Sequence, residues 1–307
     1  MAKRVAVLMG GPSAERDVSL TSGAACAASI RELGHEVIEI DPKLGEAGVV
    51  ALVQALTPKP DLVFNALHGR WGEDGCVQGL LDLLGVPYTH SGLLASAMAM
   101  DKPMAKRLFE SAGLQVPGGF VVSCAELAAG DPMARPYVAK PFNEGSSVGV
   151  RIVREGDNEP AVDPQAWGFG DRVLIEPFIA GRELTVGVMG DRPLAVTELR
   201  PHRGFYDYEA KYTEGRTEHL VPAPVPQSVS DSALEMAAAA HRVLGCRGVS
   251  RADFRWNPEE GDAGLYLLEV NTQPGMTPLS LVPEQAQHLG IAFTDLVGWM
   301  LEHAACD

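Results

Sequence analysis

Cysteine is scarce and scattered in this chain: Cys26, Cys76, Cys124, Cys246 and Cys306 make an odd total with no Cys-x-x-Cys pair. That spacing argues against a disulfide framework and a zinc site, and leaves reduced thiols of the cytosolic kind. Long apolar runs are missing as well. Val5-Ala6-Val7-Leu8-Met9, directly after Met1-Ala2-Lys3-Arg4, is too short for a signal-peptide core, and no segment reaches the ~20 residues of a membrane span. The expected location is therefore the cytoplasm, away from the membrane. Basic charge is in deficit: 25 Lys plus Arg stand against 40 Asp plus Glu, a formal charge of -15. Such a surface repels a phosphate backbone, which argues against nucleic acid as a partner. Any bound phosphate must be held locally, by backbone N–H groups, a few lysines and a metal ion. Internal repeats and low-complexity tracts are also absent.

What is present is the makeup of an ordinary globular enzyme, 307 residues with 46% hydrophobic and 21% charged side chains, enough for two or three domains. Near the N-terminus, Val5 to Met9, a small-residue helix from about Ser19 to Leu33, Val37 to Ile40 and Leu62 to Phe64 read as a βαβ pattern. Gly10-Gly11-Pro12-Ser13 follows the first strand without the full Gly-x-Gly-x-x-Gly spacing, so a nicotinamide reading has little support. A parallel sheet places its binding loops at the carboxyl ends of its strands, so Gly11 to Glu15 and Leu67 to Gly75 should share one rim. An Ala- and Met-rich helical stretch, with Ser91 or Asp101 as N-cap, leaves this unit near residue 96. Beyond it the pattern turns β-rich: Gly119 to Val122, Tyr137 to Lys140, Val148 to Val153, Val173 to Glu176, Leu184 to Met189 and Leu194 to Leu199. A helix from Ser230 to Leu244 then leads into strands Gly248 to Trp256 and Leu265 to Asn271.

The most informative constellation is Arg251-Ala252-Asp253 with Leu268-Glu269-Val270-Asn271. Side chains alternate along a strand, so Arg251 and Asp253 point one way, and Glu269 and Asn271 share a face. If the strands pair, the oxygens of Asp253, Glu269 and Asn271 suit a hard cation such as magnesium. The same alternation also describes a sheet face turned to water. The turn-rich segment Thr272 to Pro278 favours function, because it would aim backbone N–H groups beside that face, as an oxyanion requires.

A second constellation, Lys140 to Val150, joins a lysine to a loop of small residues, Gly145-Ser146-Ser147. Such a loop lets backbone N–H groups approach phosphate, although a plain hairpin with a surface lysine has the same signature. Glu176-Pro177-Phe178-Ile179 and Glu183 offer a strand end for an adenine edge and a carboxylate for ribose hydroxyls. Phe205 to Tyr212, between Gly204 and Gly215, could be a lid that carries Lys211 onto phosphate. Glu15 and His68, on the first and third strand-end loops, could meet a substrate ammonium and carboxylate, or simply fix turns.

Taken together, these stretches resemble the D-alanine:D-alanine ligases of the ATP-grasp superfamily. The resemblance runs from Leu8-Met9-Gly10-Gly11-Pro12-Ser13-Ala14-Glu15 to Asn271-Thr272-Gln273-Pro274-Gly275-Met276-Thr277. Between them Ala66-Leu67-His68-Gly69, Gly72-Glu73-Asp74-Gly75, Met100-Asp101-Lys102, Lys140 to Gly149 and Tyr206 to Tyr212 fall in the family's order. It implies an α/β fold of the ATP-grasp kind. An N-terminal parallel-sheet βαβ domain (1–96) would precede a two-part ATP-grasp domain of antiparallel sheets and helices (97–180 and 181–307). The implied activity joins two D-alanine molecules through an acyl phosphate for peptidoglycan precursor synthesis, with ATP and two magnesium ions, manganese being an alternative, in a cytoplasmic homodimer.

Site residues follow from the same resemblance. Lys102, Lys140 and Ser147 would contact ATP phosphates, Glu176, Pro177, Phe178 and Ile179 would hold adenine, and Glu183 ribose. Asp253, Glu269 and Asn271 would bind the metal. Glu15 would fix the first D-alanine, with His68 nearby and Ser146 and Tyr212 in its hydrogen-bonded set. Lys211, Ser280 and Leu281 would receive the second, while Arg251 and the Gly275 N–H stabilise the oxyanion. Leu279 stands where the family often carries a histidine, and Pro177 removes one donor from the adenine-binding strand end. Tyr212 argues against D-lactate as acceptor, since the family's lactate-using members resemble a phenylalanine there. Lys140, Asp253, Glu269 and Asn271 argue against a regulator that has lost its chemistry.

Overall fold

The computed structural model describes residues 1–146, 148–158, 160–163, 166–202 and 216–307. Strand β1 (Arg4–Leu8), helix α1 (Arg16–Glu32), β2 (Glu36–Ile40), α2 (Gly45–Ala55), β3 (Leu62–Asn65) and α3 (Cys76–Leu84) form the first unit, with parallel strand order β2-β1-β3. The alternation of β1 decides its packing. Val5 and Val7 face Cys26, Ala27 and Ile30 of α1 and Leu296 and Met300 of the distant helix Phe293–Glu302. Ala6 and Leu8 face Leu52 of α2 and Leu81 of α3. Both faces of the sheet are thus covered, as a parallel sheet requires, and the C-terminal helix closes the N-terminal unit.

Helix α1 starts earlier than the expected Ser19, which lies inside it: Ser19 is buried, its Oγ accepts from Gly10 N at 2.9 Å and donates to Ala66 O at 2.7 Å. That hydroxyl ties the carboxyl ends of β1 and β3 together. Helix α4 (Leu93–Met100) is capped by Gly92, not Ser91, whose hydroxyl instead meets the backbone of Arg247. Helix α5 (Lys102–Ser111) does begin at Asp101, whose carboxylate accepts from Met104 N at 3.0 Å, a bond that satisfies one orphan amide of the first turn.

The antiparallel sheet of β4 (Phe120–Ser123), β5 (Tyr137–Pro141), β6 (Arg151–Val153) and β7 (Arg172–Pro177) has order β4-β7-β5-β6. The expected strand from Val148 shortens to Arg151–Val153, since Val148 and Gly149 form a turn. Helix α6 (Cys124–Ala129) is held by a reciprocal capping box of Ser123 and Glu126. The larger sheet, order β10-β9-β8-β11-β12, comprises β8 (Arg182–Met189), β9 (Arg192–Pro201), β10 (Thr217–Leu220), β11 (Val249–Trp256) and β12 (Leu265–Asn271). Its inner face packs Leu184, Val186 and Phe254 against Ala233, Ala237 and Ala240 of the helix Gln227–Val243. Phe109 of α5 enters the same core, so the lysines of α5 are anchored to the sheet that carries β11 and β12. Among the described residues no helix is long and apolar enough to cross a membrane.

Candidate active site

Strands β11 and β12 pair antiparallel with Arg251 opposite Asn271 and Asp253 opposite Glu269. The four polar side chains therefore share one face, as their alternation predicts. The face is not left to water. Arg251 forks onto Asp253, with Nε to Oδ1 at 2.8 Å and NH2 to Oδ2 at 2.6 Å, and Thr185 of β8 donates to the same Oδ1 at 2.7 Å. Lys102, at the first turn of α5, places Nζ 3.2 Å from Glu269 Oε2 and donates to the Glu144 carbonyl at 2.6 Å. The register shifts after Asp253, where Phe254 pairs with Leu267 and Leu268 is the extra residue. This bulge turns Leu268 to the same side as Glu269, where both line one cleft. Strict alternation would have sent Leu268 into the core.

Two adjoining clefts of about 890 and 800 Å³ flank this face, and Lys102, Glu144 and Glu269 line both. The smaller runs along β7 past Pro177, Phe178 and Ile179 to Glu183 and Asp253. Lys140 is no surface lysine: it is buried, with Nζ 2.7 Å from Glu176 Oε2, while Lys106 of α5 bonds the other oxygen, Oε1. Burial draws the Lys140 ammonium pKa down, but Glu176 and Glu269 outweigh it and leave it raised. For Lys106 burial prevails over Glu176 and the pKa is lowered. Burial pushes the Glu176 carboxyl up, yet the two lysines overturn this and hold it below its ordinary value. The carboxylate of Glu176 is thus spent on positioning lysines, and what it can offer a base is its strand-end backbone. Glu183 faces Arg255, Oε2 to NH1 at 3.6 Å.

The larger cleft lies under the strand-end loops of the first unit, which do share a rim: Ser13 Oγ donates to His68 O at 2.6 Å. Ser146 reaches across from the β5–β6 loop and donates to Glu15 Oε2 at 2.6 Å. Ser146 is held at φ 49°, the left-handed region that a side chain seldom occupies. A Cβ at its neighbour Gly145 would stand 2.6 Å from Glu15 Oε1 and 3.2 Å from Glu73 Oε1, so a side chain there would push the Glu15 carboxylate aside. His68 is buried, and burial lowers its pKa, so a neutral ring bonds Ser22 Oγ through Nε2 at 3.1 Å. Gly275 and Ser280 close the far side, where Ser280 Oγ accepts from Thr277 N at 2.9 Å. Ser280 also precedes the helix Leu281–His288, whose N-terminal amides suit a carboxylate.

All the expected site residues that the structure describes line one of these clefts. Ser147, Lys211 and Tyr212 lie outside the described residues. Leu279, where a histidine was considered, lines the larger cleft and is half exposed. The sequence reading passed over three participants. Lys106 had a signal, standing four residues after Lys102 on an otherwise amphipathic helix. Thr185 had none, because its role depends on β8 lying beside β11. Glu73 sits in a quoted motif, but only the fold reveals a buried carboxyl whose Oε2 finds no hydrogen-bond partner among the described residues. Burial, then Glu15, pushes its pKa well above the ordinary range.

For a divalent cation the donor chemistry fits: two carboxylates face each other across one strand pair, with an amide oxygen two residues along. Among the described residues no group of three or more His, Cys, Asp or Glu could hold a metal, so any site here depends on Asn271 as well as Asp253 and Glu269.

Comparisons with known proteins agree with this geometry. Residues 43–91 match the family model described as D-ala D-ala ligase N-terminus, and residues 125–302 the one described as D-ala D-ala ligase C-terminus. The D-alanine--D-alanine ligase of Acidiphilium cryptum is 58% identical over 304 residues, covering 99% of each chain. That of Paramagnetospirillum magneticum is 58% identical over 312 residues, covering 100% of each. A solved structure of D-alanine--D-alanine ligase from Bacillus anthracis complexed with ATP superposes with a TM-score of 0.81 at 30% identity, over 99% of this chain and 97% of that one.

Proposed function

We propose how this chain, which belongs to the D-alanine--D-alanine ligase family, joins two D-alanine molecules at the expense of ATP. The smaller cleft takes the nucleotide and the larger takes the amino acids. The observation that carries this division is that the clefts meet at Lys102, Glu144 and Glu269, so a terminal phosphate and a substrate carboxylate can come together there.

Adenine lies against Pro177, Phe178 and Ile179, the ribose hydroxyls on Glu183, and the phosphates on Lys102, Lys140 and the Ser147 loop. Asp253, Glu269 and Asn271 would hold two magnesium ions, or manganese, which when bound offset the charge of the phosphoryl group in transfer. Glu15, oriented by its bond from Ser146, pairs with the ammonium of the first D-alanine, and Tyr212 completes the set. A carboxylate oxygen of that alanine attacks the γ-phosphorus; the bond to the β–γ bridging oxygen breaks and ADP leaves. The product is an acyl phosphate. The second D-alanine, its carboxylate held by Ser280, Lys211 and the amide of Leu281, attacks the carbonyl carbon through its neutral amine. Arg251 and the Gly275 N–H receive the charge on the carbonyl oxygen. The tetrahedral centre expels inorganic phosphate, the amine proton is lost and the dipeptide remains. His68, neutral and buried, lines the same cleft without adding charge.

The proposal extends to the assignment 1–96, 97–180 and 181–307 for the three units, a homodimer, and a cytoplasmic role in supplying peptidoglycan precursor. The test is product identification with ATP, magnesium and D-alanine, with D-lactate as competing acceptor. One D-alanyl-D-alanine, one ADP and one phosphate per turnover, with no ester, is the expected result. ATP hydrolysis without dipeptide would refute the reading.

A further inference from the structure

The loop that carries Gly275 is fastened on both sides of that glycine to the first unit, by residues far away in sequence. On one side is Gln273, almost fully buried. Its Oε1 accepts from Asn65 Nδ2 at 2.7 Å, and its Nε2 donates to the Leu67 carbonyl. On the other side Met276 N donates to Ser22 Oγ at 3.2 Å, and Ser22 Oγ meets His68 Nε2. Asn65 closes the set. It is the last residue of β3 and fully buried; its Nδ2 also donates to Gly72 O at 3.0 Å, and its Oδ1 accepts from Leu67 N at 3.2 Å. One amide thus holds the His68 loop and the Gly275 loop at once.

We propose that Asn65 and Gln273 are positioning residues, an amide latch that sets the Gly275 N–H in register with the Glu15 and His68 side of the substrate cleft for the bond-forming step. Cohesion alone does not call for this pair, because two apolar side chains of matching shape would hold the loop without needing every polar atom satisfied. What amides add is direction. Gln273 N further donates to Asn271 Oδ1 at 2.7 Å, a backbone bond that side-chain substitution at Gln273 leaves in place. The inference rests on the ligase reading above, in which Gly275 serves the second step and the phosphates the first.

The test therefore separates the steps in the intact enzyme. Gln273→Met and Asn65→Leu remove the polar atoms at nearly constant volume. Dipeptide formation should fall about 10- to 100-fold, part of the loss that follows deletion of an oxyanion donor. Acyl phosphate trapped by hydroxylamine as the hydroxamate, and the KM for ATP, should stay within about twofold of wild type. The double variant should lose no more than the worse single one, as two parts of one device do. Gln273→Glu, which when protonated keeps the acceptor for Asn65 and a donor for Leu67 and when ionised sets a buried charge against that carbonyl, should recover dipeptide formation as pH falls, and it carries the test if the apolar variants fail to fold. Dipeptide formation unchanged in the variants, or hydroxamate falling in step with dipeptide, overturns the latch. No dipeptide from wild type overturns the ligase reading instead.

Discussion

Glu176→Gln is the sharpest perturbation the smaller cleft offers, because one buried carboxylate there compensates two buried lysines. Lys140 Nζ lies 2.7 Å from Oε2, and Lys106 bonds Oε1. At that distance, with an effective dielectric constant of ~20, the gross attraction of the Lys140 pair is about 6 kcal/mol. Desolvation consumes part of it, and removing one partner of a buried pair costs ~3–5 kcal/mol in practice. We expect Glu176→Gln to lower the unfolding free energy by about that much at pH 7 in urea melts. The loss has a built-in relief. Burial already lowers the Lys106 pKa, and without its counter-charge this lysine gives up its proton more readily still. A lysine with a lowered folded pKa favours the folded state as pH rises toward its unfolded value, so the stability gap between Glu176→Gln and wild type should narrow as pH rises toward the ordinary lysine value. Adding Lys106→Met should restore part of the stability, since one buried ammonium, Lys140, then remains beside the amide instead of two. A loss under about 1 kcal/mol, a gap that ignores pH, or a double variant no more stable than Glu176→Gln would each refute the charge argument.

Ser146→Ala removes the 2.6 Å bond to Glu15; a hydrogen bond to a charged group is worth ~1.5–3 kcal/mol, so kcat/KM for the first D-alanine should fall roughly 10- to 150-fold, read by phosphate release, with ATP affinity unchanged. Glu73→Gln tests the raised carboxyl: a folded pKa above the unfolded value near 4.5 means that wild type loses stability as pH climbs from the unfolded toward the folded pKa. The variant does not titrate, so its melting temperature should gain on wild type through that window and run parallel below it; a constant offset would contradict the assignment. Tyr212→Phe should raise the ratio of D-lactate to D-alanine incorporated in a mixed-acceptor assay, and an unchanged ratio across neutral pH would remove Tyr212 from acceptor choice.

How much of this was legible beforehand depends on whether a residue's role is local or is set by what the fold brings beside it. The face of Arg251, Asp253, Glu269 and Asn271 could be read from alternation alone, because period-two geometry is a property of each strand and only the pairing had to be supplied. Asp101 as a cap was equally local. The bulge at Leu268 was not legible, since its sequence is as regular as its neighbours' and the register shift belongs to the pair. Ser91 was read as a local capping signal and its hydroxyl meets a distant partner, Arg247, as the hydroxyl of Ser19 meets Ala66. Short helices such as α2 and α6 escaped the reading because propensity is weak over so few residues. The same distinction governs Asn65 and Gln273: they stand 208 residues apart, and either alone reads as an ordinary amide at a strand end. A chain carrying net charge of -15 can line two adjoining clefts with three cationic side chains, Lys102, Lys140 and Arg251, because each is matched there to a specific carboxylate. Local pairing, and not net charge, decides where an anionic nucleotide is accepted. It also follows that the acidic partners Glu176, Asp253 and Glu269 are as necessary to that acceptance as the lysines, because they keep the cations charged and aimed inside a buried site.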